Sequence, residues 1–357
     1  MKIHKDEKII TRIRGCKDPG ALEEAVQLLK SGQVVAFPTE TVYGLGALCE
    51  TVPAVRKIFE VKGRPADNPL IVHVDGVDRA RELVREWTPL AEALVRAFWP
   101  GPLTLVLERA PGLPSIISAG LPTVAMRMPA HPCALRLIAL AGPIAAPSAN
   151  ASGRPSPTQA EHVYKDMKGR IPLILDGGPC EKGLESTVLD ITGDVPVILR
   201  PGHVTPEDIA AIAGGVRLSP GVLSPLPEGV QAASPGLMHR HYAPQSRVCV
   251  YCGEEGAVRA HMAQEYAALQ EAGFRPLLIG TAPWTACESR VVEDAQDFAK
   301  KFYAILLESE MDYTHLLVQG VDKHGVGLAL MNRALRAAGF SVKYVDDTET
   351  FGGGGRT

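Results

Sequence analysis

The chain has 357 residues, of which 46% are hydrophobic, 22% are charged and 5% are aromatic. This length suggests two domains, since a domain usually has about 100–200 residues, and the hydrophobic fraction is too high for a disordered chain. The formal net charge of −3 does not indicate binding of nucleic acid through bulk electrostatics. No stretch reaches the roughly 20 consecutive apolar residues of a membrane span, and the charged first residues lack the apolar segment of a secretory signal. We therefore expect a soluble, cytoplasmic protein.

The seven cysteines are an odd number, scattered along the chain. They do not indicate a disulfide framework, which suits a reducing compartment. Cys249 and Cys252 have the spacing of half a zinc site, but no second half is visible. Because they lie in the strand-like run RVCVYC, two packed thiols are favoured over a metal site.

Helical and strand patterns alternate through the N-terminal part of the chain. Asp18-Pro19 is typical of a helix start and Gly32 of a helix end. The strand QVVAFP, the helix PAVRKIFEVKG and the strand PLIVHV follow, then the helix DRARELVREW and, after Thr88-Pro89, the helix LAEALVRAFW. This part ends with the strands LTLVLER and TVAMRM, the helix CALRLIALAG and the strands PIAAP, LILDG, STVLDI and PVILR. Closely connected strands and helical crossovers predict a mixed, twisted sheet with flanking helices.

Residues 218–246 are rich in Pro and Gly without a lasting apolar period, which indicates a linker. Beyond it, strand-like runs alternate with helices predicted over 257–272, 295–310 and 326–338. This alternation predicts a smaller, Rossmann-like three-layer α/β domain with a parallel sheet. No GxGxxG follows its first strand, so a dinucleotide site is not supported.

Common catalytic motifs are absent from the sequence: there is no GxxxxGK[ST], HExxH, GxSxG or kinase signature set. Two segments nevertheless place polar groups where α/β folds build sites. In PTETVYGLG (38–46), Thr39, Glu40 and Thr41 follow a buried strand, although a simple polar turn explains them as well. In KGRPADNPLIVH (62–73), Lys62 and Arg64 lie on a stiff segment and suit a polyphosphate.

Alternatives stay open for the second segment and for a third one. Lys62 and Arg64 could instead be solvated basic residues that interact favourably with the dipole at a helix C-terminus. His73 could be a buried strand histidine. PSANASGRPSPT (147–158) carries small hydrogen-bonding side chains that let a ligand approach the backbone. Thr158 with Glu161 also fits a helix capping box, which is compatible with anion binding.

Two arginines lie in strand-like runs: Arg127 in TVAMRMP and Arg200 at the end of VILR. An arginine in a strand usually faces solvent. Because the same domain has loops suited to binding phosphate, we favour the interpretation that these two arginines bind a carboxylate or a phosphate. From its residues alone, the chain is expected to be an enzyme that binds a small anionic, phosphorylated ligand.

The same motifs carry a family resemblance. PTETVYGLG, KGRPADNPL, WPGPLTLVL, the strand with Arg127, PSANASGRPSPT, STVLD and LRPG occur in this order, and together they resemble the YrdC/Sua5 family of L-threonylcarbamoyladenylate synthases. The segments SPG…RHYAP and GLALMNRALRAA are similar to the two-domain Sua5 type. The resemblance implies a YrdC-like catalytic domain over residues 15–205, a linker at 218–246 that reaches over the active site, and a C-terminal Sua5 domain over 247–345.

The resemblance also implies an activity. L-threonine, bicarbonate and ATP would give threonylcarbamoyl-AMP, pyrophosphate and water, which makes the enzyme a nucleotidyltransferase. A separate threonylcarbamoyl transferase machinery would use this product for the t6A37 modification of ANN-decoding tRNAs. Mg2+ would accompany ATP, held mainly by its phosphates, because no carboxylate cluster indicates a protein metal site. Neither membrane association nor stable nucleic-acid binding is expected.

The family's site residues can be assigned to matching positions. ATP binding would fall to Arg64, Asn68, Thr123, Asn150, Thr158, Arg200 and Tyr242; L-threonine binding to Thr41, His73, Arg127, Ser148 and Ser186; and catalysis to Lys62 and Arg64. Arg127 would bind the carboxylate of threonine. The sequence departs from the family in the linker, where Met238 and His239 replace the usual Lys and Tyr.

Three other interpretations remain open. The N-terminal domain could be a nucleic-acid-binding module, although a pI near 6.4 is unfavourable for one. The same fold could serve as a carbamoyl transferase, as in hydrogenase maturation proteins, although their additional zinc-finger-like and acylphosphatase segments are absent. The C-terminal domain could be a regulatory or interaction module, since no catalytic set is visible in it.

Overall fold

A computed structural model describes residues 9–224 and 242–345. The described strands are β1 Arg12–Gly15, β2 Val35–Phe37, β3 Gly44–Leu48, β4 Ile71–His73, β5 Leu103–Glu108, β6 Thr123–Arg127, β7 Ile144–Ala146, β8 Leu173–Asp176, β9 Thr187–Asp190, β10 Val197–Arg200, β11 Arg217–Leu218, β12 Arg247–Gly253, β13 Pro276–Gly280, β14 Ser289–Val291, β15 His315–Gln319 and β16 Val342–Val345. The described α-helices are α1 Ala21–Lys30, α2 Val52–Lys62, α3 Val77–Arg81, α4 Pro89–Phe98, α5 Pro132–Ala141, α6 Ala160–Met167, α7 Pro206–Ala213, α8 Glu255–Glu271, α9 Ala295–Ser309 and α10 Val326–Ala337.

The first eleven strands form one sheet in the order β1-β8-β2-β3-β7-β4-β6-β5-β9-β10-β11. Its pairs are both parallel, as in β4 with β6, and antiparallel, as in β5 with β6. Residues of β2 alternate between two cores, because successive side chains of a strand point to opposite faces. Val35 and Phe37 pack with α1 and α5, whereas Ala36 packs with α2. The predicted mixed sheet with flanking helices is confirmed.

Helix starts follow the sequence signals only in part. α4 begins as predicted, with the Thr88 hydroxyl accepting a hydrogen bond from the Ala91 amide at 3.1 Å. α1 begins only at Ala21, because the Asp18 carboxylate accepts from the amide of Gly15 and does not cap the helix. The predicted capping box at Thr158 is wrong, since α6 begins at Ala160 with Gln159 as its N-cap.

The structure also corrects the prediction about cysteines. Cys16, directly after β1, and Cys133, in the first turn of α5, are joined by a disulfide with a Cα–Cα distance of 6.1 Å. The two residues are 117 positions apart, and nothing in the local sequence links them. Cys249 and Cys252 on β12 are free thiols. Within residues 9–224 and 242–345, no cluster of three or more metal-ligating side chains occurs.

The remaining strands form a second sheet in the order β14-β13-β15-β12-β16, in which every pair is parallel. α8 packs on one face of this sheet, and α9 and α10 pack on the other. The predicted smaller three-layer α/β domain is therefore confirmed. No described helix has the length and apolar character needed to cross a membrane.

The α9/α10 layer also contacts the N-terminal domain. Val42 and Leu184 of that domain, together with Tyr242, belong to the same hydrophobic cluster as α9 and α10. The C-terminal domain therefore packs directly beside the loops that follow β2 and precede β9.

Candidate active site

A pocket with an empty volume of about 690 Å³ lies beside these loops. The structure brings ten of the predicted site residues to its wall: Thr41, Lys62, Arg64, His73, Arg127, Ser148, Asn150, Ser186, Arg200 and Tyr242. These residues come from segments far apart in the sequence, so the fold gathers them into one site.

Three predicted ATP ligands do not line this pocket. Asn68 is buried behind it, where its backbone carbonyl accepts a hydrogen bond from Arg64 Nε at 3.2 Å. Thr123 begins β6, at the opposite end of the strand from Arg127. The Thr158 hydroxyl lies 3.4 Å from Nδ1 of His162. Their roles in nucleotide binding remain predictions.

Lys62 is held at the end of α2. Gly63 ends this helix with a φ of +62°, a conformation that glycine adopts at little cost. The Lys62 side chain is 3% exposed, and its Nζ donates to the carbonyls of Ser148, at 2.6 Å, and Asn150. Burial, and then the neighbouring Arg64, lower the pKa of Lys62 well below its ordinary value. The lysine thus connects residues 62–64 (KGR, the KxR segment) to residues 148–150 (SAN, the SxN segment).

Arg64 is fixed by the backbone of its own loop. Its Nη2 donates to the Pro69 carbonyl at 2.8 Å and its Nε donates to the Asn68 carbonyl. Burial lowers the pKa of Arg64 to about 10, so the guanidinium is still charged at neutral pH. A preorganised cation of this kind binds an anion with little further loss of side-chain entropy.

Arg127, the last residue of β6, forms the other cationic centre. Its Nη1 donates to the Thr41 hydroxyl at 2.8 Å, its Nη2 to Glu40 Oε1 at 2.5 Å, and its Nε to the Gly101 carbonyl at 3.1 Å. Glu40 Oε2 accepts from the Ala130 amide at 3.0 Å. Arg127 and Glu40 are 3% and 5% exposed, so the pair is buried and its geometry is fixed.

Ser186 and Arg200 meet next to this centre. Arg200 Nη2 donates to the Ser186 carbonyl at 3.0 Å and to its hydroxyl at 3.2 Å. The Ser186 hydroxyl also lies 2.8 Å from that of Thr104. On the far side, burial and then the charge of Arg127 lower the pKa of His73 to about 3. His73 is therefore a neutral hydrogen-bonding group at physiological pH.

Three other charged residues near the site were not assigned a role from the sequence. Glu40 was noted after a strand in PTETVYGLG, but its partner Arg127 is 87 positions away. Glu185 and Arg154 line the pocket, and each pairs with a residue of the C-terminal domain, Arg333 and Glu310 respectively. Arg333 lies in the largely apolar helix GLALMNRALRAA, which also contains Asn332 and Arg336, so the sequence does not single it out.

Part of the predicted linker can be placed. The ring of Tyr242 lies 5.3 Å from that of Tyr303 on α9, and Tyr242 lines the pocket as expected. Met238 and His239 lie outside the described residues.

Two family models match the chain. One, described as "Telomere recombination" (Sua5_yciO_yrdC), matches residues 27–202, and the other, "Threonylcarbamoyl-AMP synthase, C-terminal domain" (Sua5_C), matches residues 204–339. Together they cover both domains.

Full-length relatives are also similar. The chain is 43% identical to a threonylcarbamoyl-AMP synthase of Pyrococcus abyssi over 94% of this chain and 98% of that protein. It is 43% identical to one of Bacillus subtilis over 89% and 93%. The crystal structure of Pyrococcus abyssi Sua5 complexed with L-threonine superposes with a TM-score of 0.89 at 42% identity, covering 94% of this chain and 99% of that one.

Proposed function

The chain belongs to the Sua5/YrdC family of threonylcarbamoyl-AMP synthases, and on this premise we propose that its pocket converts L-threonine, bicarbonate and ATP into threonylcarbamoyl-AMP, pyrophosphate and water. The observation that carries this proposal is the gathering of four buried basic side chains, Lys62, Arg64, Arg127 and Arg200, around one pocket. A pocket so rich in fixed positive charge suits a site in which several anions must meet.

We propose that Arg127 binds the carboxylate of L-threonine. Its guanidinium is aligned by Thr41 and Glu40, and the hydroxyls of Thr41 and Ser186 lie in the same pocket. These hydroxyls are suited to a substrate that itself carries a hydroxyl. Because His73 is neutral, it adds a directional hydrogen bond without a further positive charge.

We assign the nucleotide to three of these side chains, Lys62, Arg64 and Arg200, which line the same pocket. In the proposed reaction bicarbonate loses hydroxide to give carbon dioxide, and the amine of threonine adds to its carbon. The proton that the amine releases combines with the hydroxide to give water, and the resulting N-carboxylate attacks the α-phosphorus of ATP. The new bond joins a carboxylate oxygen to phosphorus, the bond to the β-phosphate oxygen breaks, and pyrophosphate leaves with its electron pair. The enzyme is then a nucleotidyltransferase, since it transfers AMP to a carboxylate.

Both reactants in this step are anions, so the main barrier is charge repulsion. Fixed cations lower that barrier by neutralising charge and aligning the reacting groups. The residues that line the pocket supply fixed cations and hydroxyls, which are the groups needed for this task.

We propose that Mg2+ enters as the complex with ATP. Among the described residues the site carboxylates Glu40 and Glu185 are each paired with an arginine, Arg127 and Arg333. Neither is available as a metal ligand without leaving a buried arginine uncompensated. The donor set therefore fits a metal held by ATP phosphates and not by a protein carboxylate.

The wider context is proposed from the family. Bicarbonate is the expected source of the carbamoyl carbon, and a separate transferase machinery would use the product to modify tRNA. We also propose a cytoplasmic location, where ATP and tRNA are found.

Release of pyrophosphate from ATP tests the proposed function. We expect release that requires L-threonine and bicarbonate together and falls to background when either is omitted. L-serine is a matched control, because it has the carboxylate, amine and hydroxyl but lacks the methyl group. Release that is unaffected by omission of threonine would overturn the proposal.

The lowered pKa of Lys62 predicts the pH dependence of nucleotide binding. Bound phosphates stabilise the charged amine, so they raise its pKa relative to the free protein. At a pH between the pKa of Lys62 in the free protein and its pKa in the complex, nucleotide binding takes up a proton. The affinity for the nucleotide should therefore fall by about tenfold per pH unit as the pH rises. Titration calorimetry with a non-hydrolysable ATP analogue measures this fall. Lys62→Arg keeps its charge at alkaline pH and should remove most of the slope; an equal slope in this variant would contradict the assignment.

A further inference from the structure

The C-terminal domain packs tightly against one loop of the active site. This loop, residues 182–186, will be called the pocket loop. Its Gly183 has a φ of +77°, and a Cβ added there would overlap the backbone carbonyl of Lys300 on α9. The contact therefore has no room for a side chain, and α9 fixes the path of the pocket loop.

Glu185 in the pocket loop is bound chiefly by the C-terminal domain. Its carboxylate accepts hydrogen bonds from Arg333 Nε at 2.8 Å, from the Tyr303 hydroxyl at 3.1 Å and from the Ser156 hydroxyl. Glu185 is 6% exposed and Arg333 is fully buried. Arg333 Nη2 also donates to the carbonyl of Pro201 at 3.0 Å, directly after Arg200. One side chain of α10 thus contacts both segments that form the Ser186/Arg200 side of the pocket.

The charge of Glu185 acts on two buried arginines. Burial alone would raise the pKa of Glu185, but Arg333 first and Arg200 second lower it to about 2. The carboxylate in turn helps to keep Arg200 charged. Glu185 is therefore ionised at neutral pH and has two cations that can compensate it, one from each domain.

We propose that Arg333 is a positioning residue of the active site, which neutralises Glu185 and so leaves Arg200 available for the anionic phosphates of the nucleotide. The inference rests on the function proposed above. Without Arg333, Glu185 would be a buried carboxylate lacking its main counter-charge, and Arg200 would be drawn to it. The C-terminal domain thus contributes charge compensation to the site, although none of its described residues from β12 onward lines the pocket.

A double-mutant cycle tests this coupling without requiring turnover. The dissociation constants of a non-hydrolysable ATP analogue and of inorganic pyrophosphate are measured by titration calorimetry for the wild type, Arg333→Gln, Glu185→Gln and the double variant. We expect Arg333→Gln to weaken binding by about 30-fold, since it removes one partner of a buried charge pair. The double variant should recover to within about fivefold of the wild type, because it has no uncompensated carboxylate.

Arg336→Gln is the matched control. Arg336 lies one turn further along α10, is also buried, and donates to the Gly221 carbonyl at 2.6 Å. If Arg336→Gln weakens binding of the ATP analogue or of pyrophosphate, adding Glu185→Gln should not restore that binding. If Arg333→Gln does not fold, Tyr303→Phe replaces it, since it removes only one donor to Glu185. It should weaken binding by about threefold on its own and have no effect in the Glu185→Gln background.

The outcomes separate the inference from the proposed function. Equal weakness of Arg333→Gln and the double variant, both shown to be folded by thermal unfolding, overturns the inference. Rescue by the double variant supports it even if the wild type releases no pyrophosphate with threonine, a result that would overturn only the proposed function.

Discussion

Lys62→Ala and Arg64→Ala should each reduce ATP turnover by about 1,000-fold, the upper range for removing one preorganised group that stabilises developing charge. Lys62 donates to the two carbonyls of the SxN segment, and Arg64 is fixed by the backbone of its loop. Each variant therefore loses both a positive charge and the means of placing it. Threonine-dependent release of pyrophosphate under saturating substrates measures the effect.

Lys57→Ala is the matched control for this prediction. Lys57 lies on the same helix, α2, but its Nζ donates to the Gly32 carbonyl away from the pocket. Turnover in this variant should stay within about twofold of the wild type, because the half-buried Lys57 does not line the pocket. Normal turnover in both Lys62→Ala and Arg64→Ala would show that the KxR cations are not catalytic.

Arg127→Gln should raise the KM for L-threonine by about 100-fold or more, the effect of removing one partner of a buried, hydrogen-bonded charge pair. The KM for ATP should change far less, since we assign the nucleotide to Lys62, Arg64 and Arg200. The variant leaves Glu40 buried without its ion-pair partner. Initial rates measured over a range of threonine concentrations at saturating ATP test this prediction.

The double variant Glu40→Gln/Arg127→Gln separates the effect of Arg127 on threonine binding from its effect on folding. It removes both charges, so the buried carboxylate no longer destabilises the domain. We expect its melting temperature to recover relative to Arg127→Gln while threonine remains weakly bound. Recovery of threonine affinity together with stability would mean that Arg127 is structural and does not bind the substrate.

The fold could be predicted largely from local patterns. Alternating strands and helices predict both sheets, because a buried strand and an amphipathic helix have distinct hydrophobic periods. Signals that rely on one side chain were less dependable. Asp18 and Thr158 both fit helix caps by sequence, yet Asp18 bonds to the amide of Gly15 and Thr158 contacts His162. A short polar side chain has several backbone and side-chain partners within reach, and tertiary packing selects among them.

The candidate site could be predicted only where its residues lie in contiguous motifs. Lys62 and Arg64 are neighbours in sequence, and both line the pocket. Arg333 could not be assigned, because a charged residue in a helix is usually on the exposed face. Its burial depends on Glu185, which lies 148 positions earlier. Long-range ion pairs of this kind depend on the fold, so a single sequence does not reveal them.

The same contrast explains what the C-terminal domain contributes. Its sequence carries no recognisable catalytic set, but Arg333 and Tyr303 contact Glu185 at the pocket and Glu310 pairs with Arg154. The described part of this domain therefore supplies ion-pair partners to two charged residues of the pocket, Glu185 and Arg154.

Mass spectrometry of the product formed from ¹³C-bicarbonate tests the proposed reaction at its product. With ATP and L-threonine present, we expect threonylcarbamoyl-AMP that carries one ¹³C atom, formed in equal amount to pyrophosphate. Formation of the labelled product should be lost in Lys62→Ala and retained in Lys57→Ala. Well-folded wild-type protein that gives AMP or ADP without this labelled adduct would contradict the account.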